Sequence, residues 1–86
     1  MYLSIDRFET AVAARVLELT LSAEMTHTSR EWRREDLRVT LEPLDPTQGI
    51  LRSRSRDYAP SWSERVHYDE RGVECAAKLI ARAFDP

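Results

Sequence analysis

Apolar residues recur every third or fourth position at both ends of this 86-residue chain, and every second position through its middle. The first spacing is that of a helix with one buried face, the second that of a strand with one buried face. The chain is therefore predicted to fold as helices bracketing an antiparallel sheet.

At the N-terminal end, Ser4 is placed to cap a helix carrying Asp6 and Glu9 in its first turn. Ile5, Phe8, Val12, Val16, Leu19 and Ala23 share one face of that helix, and Ala11, Ala13 and Ala14 favour it. The spacing predicts a helix to about Ala23. From Leu17 onward the same residues also alternate as a strand would, with Leu17, Leu19, Leu21, Ala23 and Met25 set against polar neighbours. In the helical reading Leu17, Leu21 and Met25 form a second apolar stripe opposite the first. A small domain rarely covers a helix on two faces, so this stripe is a candidate partner surface.

Thr28-Ser-Arg-Glu31 fits a capping box opening a short polar segment that contains Trp32. Leu37, Val39 and Leu41 then alternate with Arg38, Thr40 and Glu42 as a strand, which Pro43 ends. A second strand is predicted over 50–56 and a third over 62–68, separated by the Tyr58-Ala-Pro-Ser61 turn. Asp69 is placed to cap a final helix with Val73, Ala76, Ala77, Ile80 and Phe84 on its buried face. A competing pattern runs one helix from the Ser61-Trp-Ser-Glu64 capping box to the end, kinked near Gly72.

The expected fold is α+β: a small three-stranded antiparallel sheet with two helices on one face, in the order α-β-β-β-α, forming a single domain over residues 1–86. That order is similar to the topology of double-stranded-RNA-binding domains. Their second helix opens with a lysine-rich phosphate clamp, whereas this one opens with Asp69, Glu70 and Arg71, so the likeness is one of topology alone.

Composition narrows the functional classes. The single cysteine, Cys75, allows no internal disulfide and favours a reducing compartment. The N-terminus lacks a signal-peptide pattern, and no apolar run is long enough to cross a membrane, so a cytoplasmic location without membrane attachment is expected. Net charge is only −2, yet among the 13 cations Lys78 is the sole lysine. Arginine binds phosphate and carboxylate with a two-pronged fork that lysine lacks. A GC-rich genome would favour arginine codons as well.

The most distinctive segment is Ile50-Leu-Arg-Ser-Arg-Ser-Arg56. On a strand its period of two puts Arg52, Arg54 and Arg56 on one face, about 7 Å apart, where like charges repel and folding has no use for them. Arg38 and Arg65, with His67, would enlarge this into a basic sheet face. Local acids such as Glu42, Asp57 and Glu64 would offset part of it. Trp32 is read either as a binding anchor or as a cover for the core edge, and Tyr58 and Trp62 carry the same ambiguity.

Catalytic signatures are missing from the sequence: there is no P-loop, G-x-G-x-x-G, H-E-x-x-H or G-x-S-x-G pattern. His27 and His67 stand far apart, and His67, Asp69 and Cys75 make no paired-base motif. No cofactor or metal is expected. The sequence reads as a non-catalytic protein–protein interaction module. It would serve as a homodimer, or as an accessory or inhibitory subunit docking on a larger assembly, a type that includes phage-encoded inhibitors. The alternative is nucleic-acid or phosphate binding through the arginine-rich face.

Overall fold

The computed structural model describes residues 2–20, 25–55 and 61–84. Its elements are α1 (Ile5–Leu19), β1 (Thr26–Thr28), β2 (Glu31–Arg34), β3 (Leu37–Asp45), β4 (Gln48–Ser55), β5 (Trp62–His67) and α2 (Glu70–Phe84). The strands form one five-stranded antiparallel meander whose spatial order follows the chain. The α+β class and the terminal helices are as expected. The three-stranded sheet is corrected to five strands, in the order α-β-β-β-β-β-α, and the topological likeness to double-stranded-RNA-binding domains goes with it.

The two extra strands fall where a helix end and a polar segment were expected. β1 is exposed along its whole length, and Trp32 is the one buried residue of β2, so neither strand displays a legible alternation. Thr28 and Glu31 do not form a capping box; they pair across a two-residue hairpin turn. Its central residues, Ser29 and Arg30, have φ of 42° and 65°, the left-handed pair of a type I′ turn that glycine or asparagine usually supplies.

α1 begins as predicted, with the Ser4 hydroxyl accepting from the Arg7 N–H at 3.3 Å. It stops at Leu19, because Thr20 takes an extended conformation (φ −127°, ψ 140°). The expected helix end at Ala23, together with Leu21, lies outside the described residues. Met25 packs against the core from the start of the sheet, so it does not continue a helical stripe with Leu17.

At the other end the strand reading holds, and the single long helix from Ser61 does not form. Asp69 caps α2, its Oδ1 accepting from the Gly72 N–H at 2.7 Å. The reversal from β5 into α2 is tight enough that a Cβ on Gly72 would lie 1.7 Å from the His67 carbonyl oxygen. Glycine is required there by close approach.

Pro43 does not end β3. The strand continues to Asp45, with a register irregularity between Pro43 and Asp45 that accommodates a residue without an N–H. The Asp45 carboxylate then organises the turn, accepting from the Thr47 N–H at 2.8 Å, the Thr47 hydroxyl at 2.9 Å and Gln48 Nε2 at 2.8 Å. The Gln48 amide is the largest of the influences that hold its pKa down at about 2.

Both helices pack on one face of the sheet. Phe8, Val12 and Val16 of α1 and Ala76, Ala77, Ile80 and Phe84 of α2 meet Trp32, Val39, Leu41, Leu51, Val66 and Tyr68 in one buried cluster. Fully burying each of the larger side chains contributes about 1.5–3 kcal/mol. Arg15 ties the helices together, donating from Nε to Glu74 at 2.6 Å and from Nη1 to Glu18 at 2.7 Å.

Candidate functional site

Alternation along the strands sends every second side chain away from the helices. On that outer face β2 presents Glu31 and Arg33; β3 presents Arg38, Thr40 and Glu42; β4 presents Ile50, Arg52 and Arg54; β5 presents Ser63, Arg65 and His67. Among the described residues no helix or strand packs against this face.

The register sets its charge pattern. Arg33 is paired with Arg38, and Arg38 with Arg54, so three guanidinium side chains form one row across β2, β3 and β4. Two glutamates interrupt the basic field. Glu31 Oε1 lies 2.8 Å from Arg38 Nε, and Glu42 Oε2 lies 2.5 Å from Arg52 Nε. The Glu31 oxygen is buried and lacks an aligned hydrogen-bond donor, so its contact with Arg38 is a charge pairing alone. Among the described residues no carboxylate lies within ion-pair distance of Arg33, Arg54 or Arg65.

Of the residues singled out in the sequence, Arg38, Arg52, Arg54 and Arg65 do come together on this face. Arg56 and Leu21 lie outside the described residues. Trp32 is 1% exposed and belongs to the core, so it covers the hydrophobic interior instead of offering an anchor. Leu17 stands 68% exposed on α1. Arg33 was missed, because it becomes part of the row only once 31–34 is recognised as a strand. The alternation of Glu31 and Arg33 with a buried Trp32 was the available signal.

No catalytic set assembles from the other candidates. His67 lies on the outer sheet face, the Asp69 carboxylate is engaged as a helix cap, and Cys75 is exposed on α2, which packs on the opposite face. Among the described residues no three His, Cys, Asp or Glu side chains gather as a metal site would require, and no helix is long and apolar enough to cross a membrane.

A second polar cluster, on the helix side, supports the first hairpin. Glu9 of α1 accepts the Arg30 backbone N–H at 2.8 Å and meets His27 Nε2 at 2.7 Å through the same oxygen, Oε2. His27 stacks on Trp32 with ring centroids 4.6 Å apart. The strained Ser29–Arg30 turn is therefore gripped from α1, while Arg33 is set in register by the pairing of β2 with β3.

Comparison with family models, curated proteins and solved structures finds no match to this chain.

Proposed function

We propose that this chain is a non-catalytic interaction module of a reducing, cytoplasmic setting, docking its bare basic sheet face against a carboxylate-bearing surface of a larger protein assembly. The observation that carries this reading is the Arg33–Arg38–Arg54 row. Like charges placed directly opposite one another weaken a sheet, so the row is a cost to folding that an anionic partner would offset. Arginine is also the cation best suited to interface carboxylates, through its two-pronged fork and weak hydration.

Four features favour a protein over a nucleic acid. Glu31 and Glu42 sit within the face, where they would repel a uniform polyanion but suit a surface of mixed charge. Ile50 provides an apolar centre between Glu42 and Arg65. Among the described residues the outward strand positions carry no phenyl, phenol or indole ring on which a base would stack; Trp62, at the margin of the face, alternates to the helix side and packs against the core. The chain's net charge of −2 also leaves the surface away from this face negative, which opposes approach to a polyanion.

The test is charge reversal on the row. A variant carrying Arg33→Glu, Arg38→Glu and Arg54→Glu should remain folded and lose its partner. Retention of the partner by that folded variant would remove the face from the proposal. Capture of nucleic acid in place of protein, with affinity falling by about 0.7–0.9 log units per log unit of salt for each phosphate neutralised, would transfer the face to the alternative reading.

A further inference from the structure

At the β4–β5 end of the basic face lies an open depression of about 420 Å³ lined by Arg52, Ser53, Arg54, Ser61, Trp62 and Ser63. Its two walls differ in chemistry. Arg52 and Arg54 come from β4, while Ser63 pairs with Arg52 across the strands and Ser61 precedes β5. Among the described residues Arg54, Ser61 and Ser63 have no side-chain hydrogen-bond or ion-pair partner, whereas Arg52 is engaged by Glu42 at 2.5 Å. The depression is thus lined by one unspent guanidinium fork and two unspent hydroxyls.

We infer that this depression is a subsite for a single phosphoryl group, arriving as free phosphate or as a phosphomonoester. The inference rests on the same face being an anion-recognition surface, and it assigns a distinct ligand to one end of it. The arginine fork takes two oxygens in parallel, which uses both oxygens of a carboxylate and leaves only their second lone pairs, in the same plane, for the hydroxyls. A phosphoryl group has further oxygens to accept from Ser61 and Ser63 while the fork is occupied. Its charge of up to −2 also exceeds what one carboxylate offers to the neighbouring Arg38. Arg52 is already paired with Glu42, so Arg54 is the principal charge partner.

The experiment is a titration of the whole chain with inorganic phosphate, followed by amide and indole NMR at an ionic strength held constant with chloride. Saturating changes are expected at Ser53, Ser63 and Trp62, with little at Arg33. Arg54→Gln should weaken binding by about tenfold or more, as loss of a charge-assisted pair does. Ser63→Ala should weaken it several-fold, and Arg33→Gln should leave it unchanged. Tighter binding of O-phosphoserine than of phosphate identifies an ester as the natural form; equal binding identifies the free ion.

Absence of a saturating response would overturn the inference, as would an equal response to acetate or an undiminished response in Arg54→Gln. Docking of a carboxylate-bearing protein is read separately, because Arg33→Glu should impair it while sparing the phosphate response. Failure of one reading is therefore distinguishable from failure of the other.

Discussion

Arg38 and Arg54 stand directly opposite each other on β3 and β4, on the face that neither helix covers. Arg33 extends the pair into a row on the other side of Arg38. Such an arrangement works against the sheet that carries it, and this gives a first prediction. Arg54→Gln should leave stability unchanged or raise it, by a few tenths up to about 1 kcal/mol in urea unfolding, because it relieves a like-charge cross-strand pair. A loss of more than about 1 kcal/mol would mean that Arg54 supports the fold, and the argument for a partner would lose its footing.

The first hairpin should depend on α1. Glu9→Gln removes the charge that receives both the Arg30 N–H and His27, and Glu9→Ala removes the acceptor altogether. The alanine variant should cost about 1.5–3 kcal/mol, the usual worth of a hydrogen bond to a charged group. Its amide exchange should rise first in β1 and β2, with β4 and α2 still protected. Uniform loss of protection through the sheet would show that the turn is held by something other than Glu9.

Gly72→Ala is a case where helix propensity points the wrong way. Alanine is favoured over glycine inside a helix by about 1 kcal/mol, yet the added Cβ would fall 1.7 Å from the His67 carbonyl oxygen. Backbone oxygen cannot swing aside as a flexible side chain would, so β5 and α2 must separate. A net destabilisation of about 1–3 kcal/mol is expected from thermal or urea unfolding. A stabilised variant would contradict the tight reversal described for β5 and α2.

Tyr68 gives the fold an alkaline sensitivity. Its ring packs on Phe8 at 4.9 Å, and its hydroxyl is buried without a hydrogen-bond partner. Burial, the largest influence, raises its pKa above the ordinary value of 10.0, while Arg30 acts in the opposite direction. The unfolded chain therefore releases this proton first, and it binds fewer protons than the native state once pH exceeds about 10. The associated stability is fully present below that pH and is lost as pH rises above it. Tyr68→Phe should flatten this alkaline decline, and at neutral pH it should be neutral or stabilising by up to about 1 kcal/mol, since it removes an unsatisfied polar group. An unchanged alkaline slope in the variant would place the sensitivity elsewhere.

The helices and the three long strands were legible because their burial is periodic and local. Phe8, Val12 and Val16 repeat every four residues, and Val39, Leu41 and Leu51 alternate with charged neighbours that do reach the outer face. β1 and β2 were not legible for a physical reason. They have one buried residue between them, Trp32, and the turn that joins them uses Ser29 and Arg30 where glycine would have announced a hairpin. That turn is held by contacts distant in the chain, from Glu9 to the Arg30 N–H and from the Leu41 N–H to the Arg30 carbonyl, and such contacts have no local signature. The basic face was half visible on the same account. Arg38, Arg52, Arg54 and Arg65 follow from a period of two, whereas Arg33 needed the unrecognised strand.

The measurement that bears most directly on the central claim compares the folded wild-type chain with the Arg33→Glu, Arg38→Glu, Arg54→Glu variant as baits in nuclease-treated lysate of the source cell, with retained proteins quantified by mass spectrometry. The account predicts that the wild type retains a stoichiometric protein with an acidic surface, which is released by salt and absent from the variant. Equal retention by both baits would contradict it, since the row of arginines would then have no part in binding.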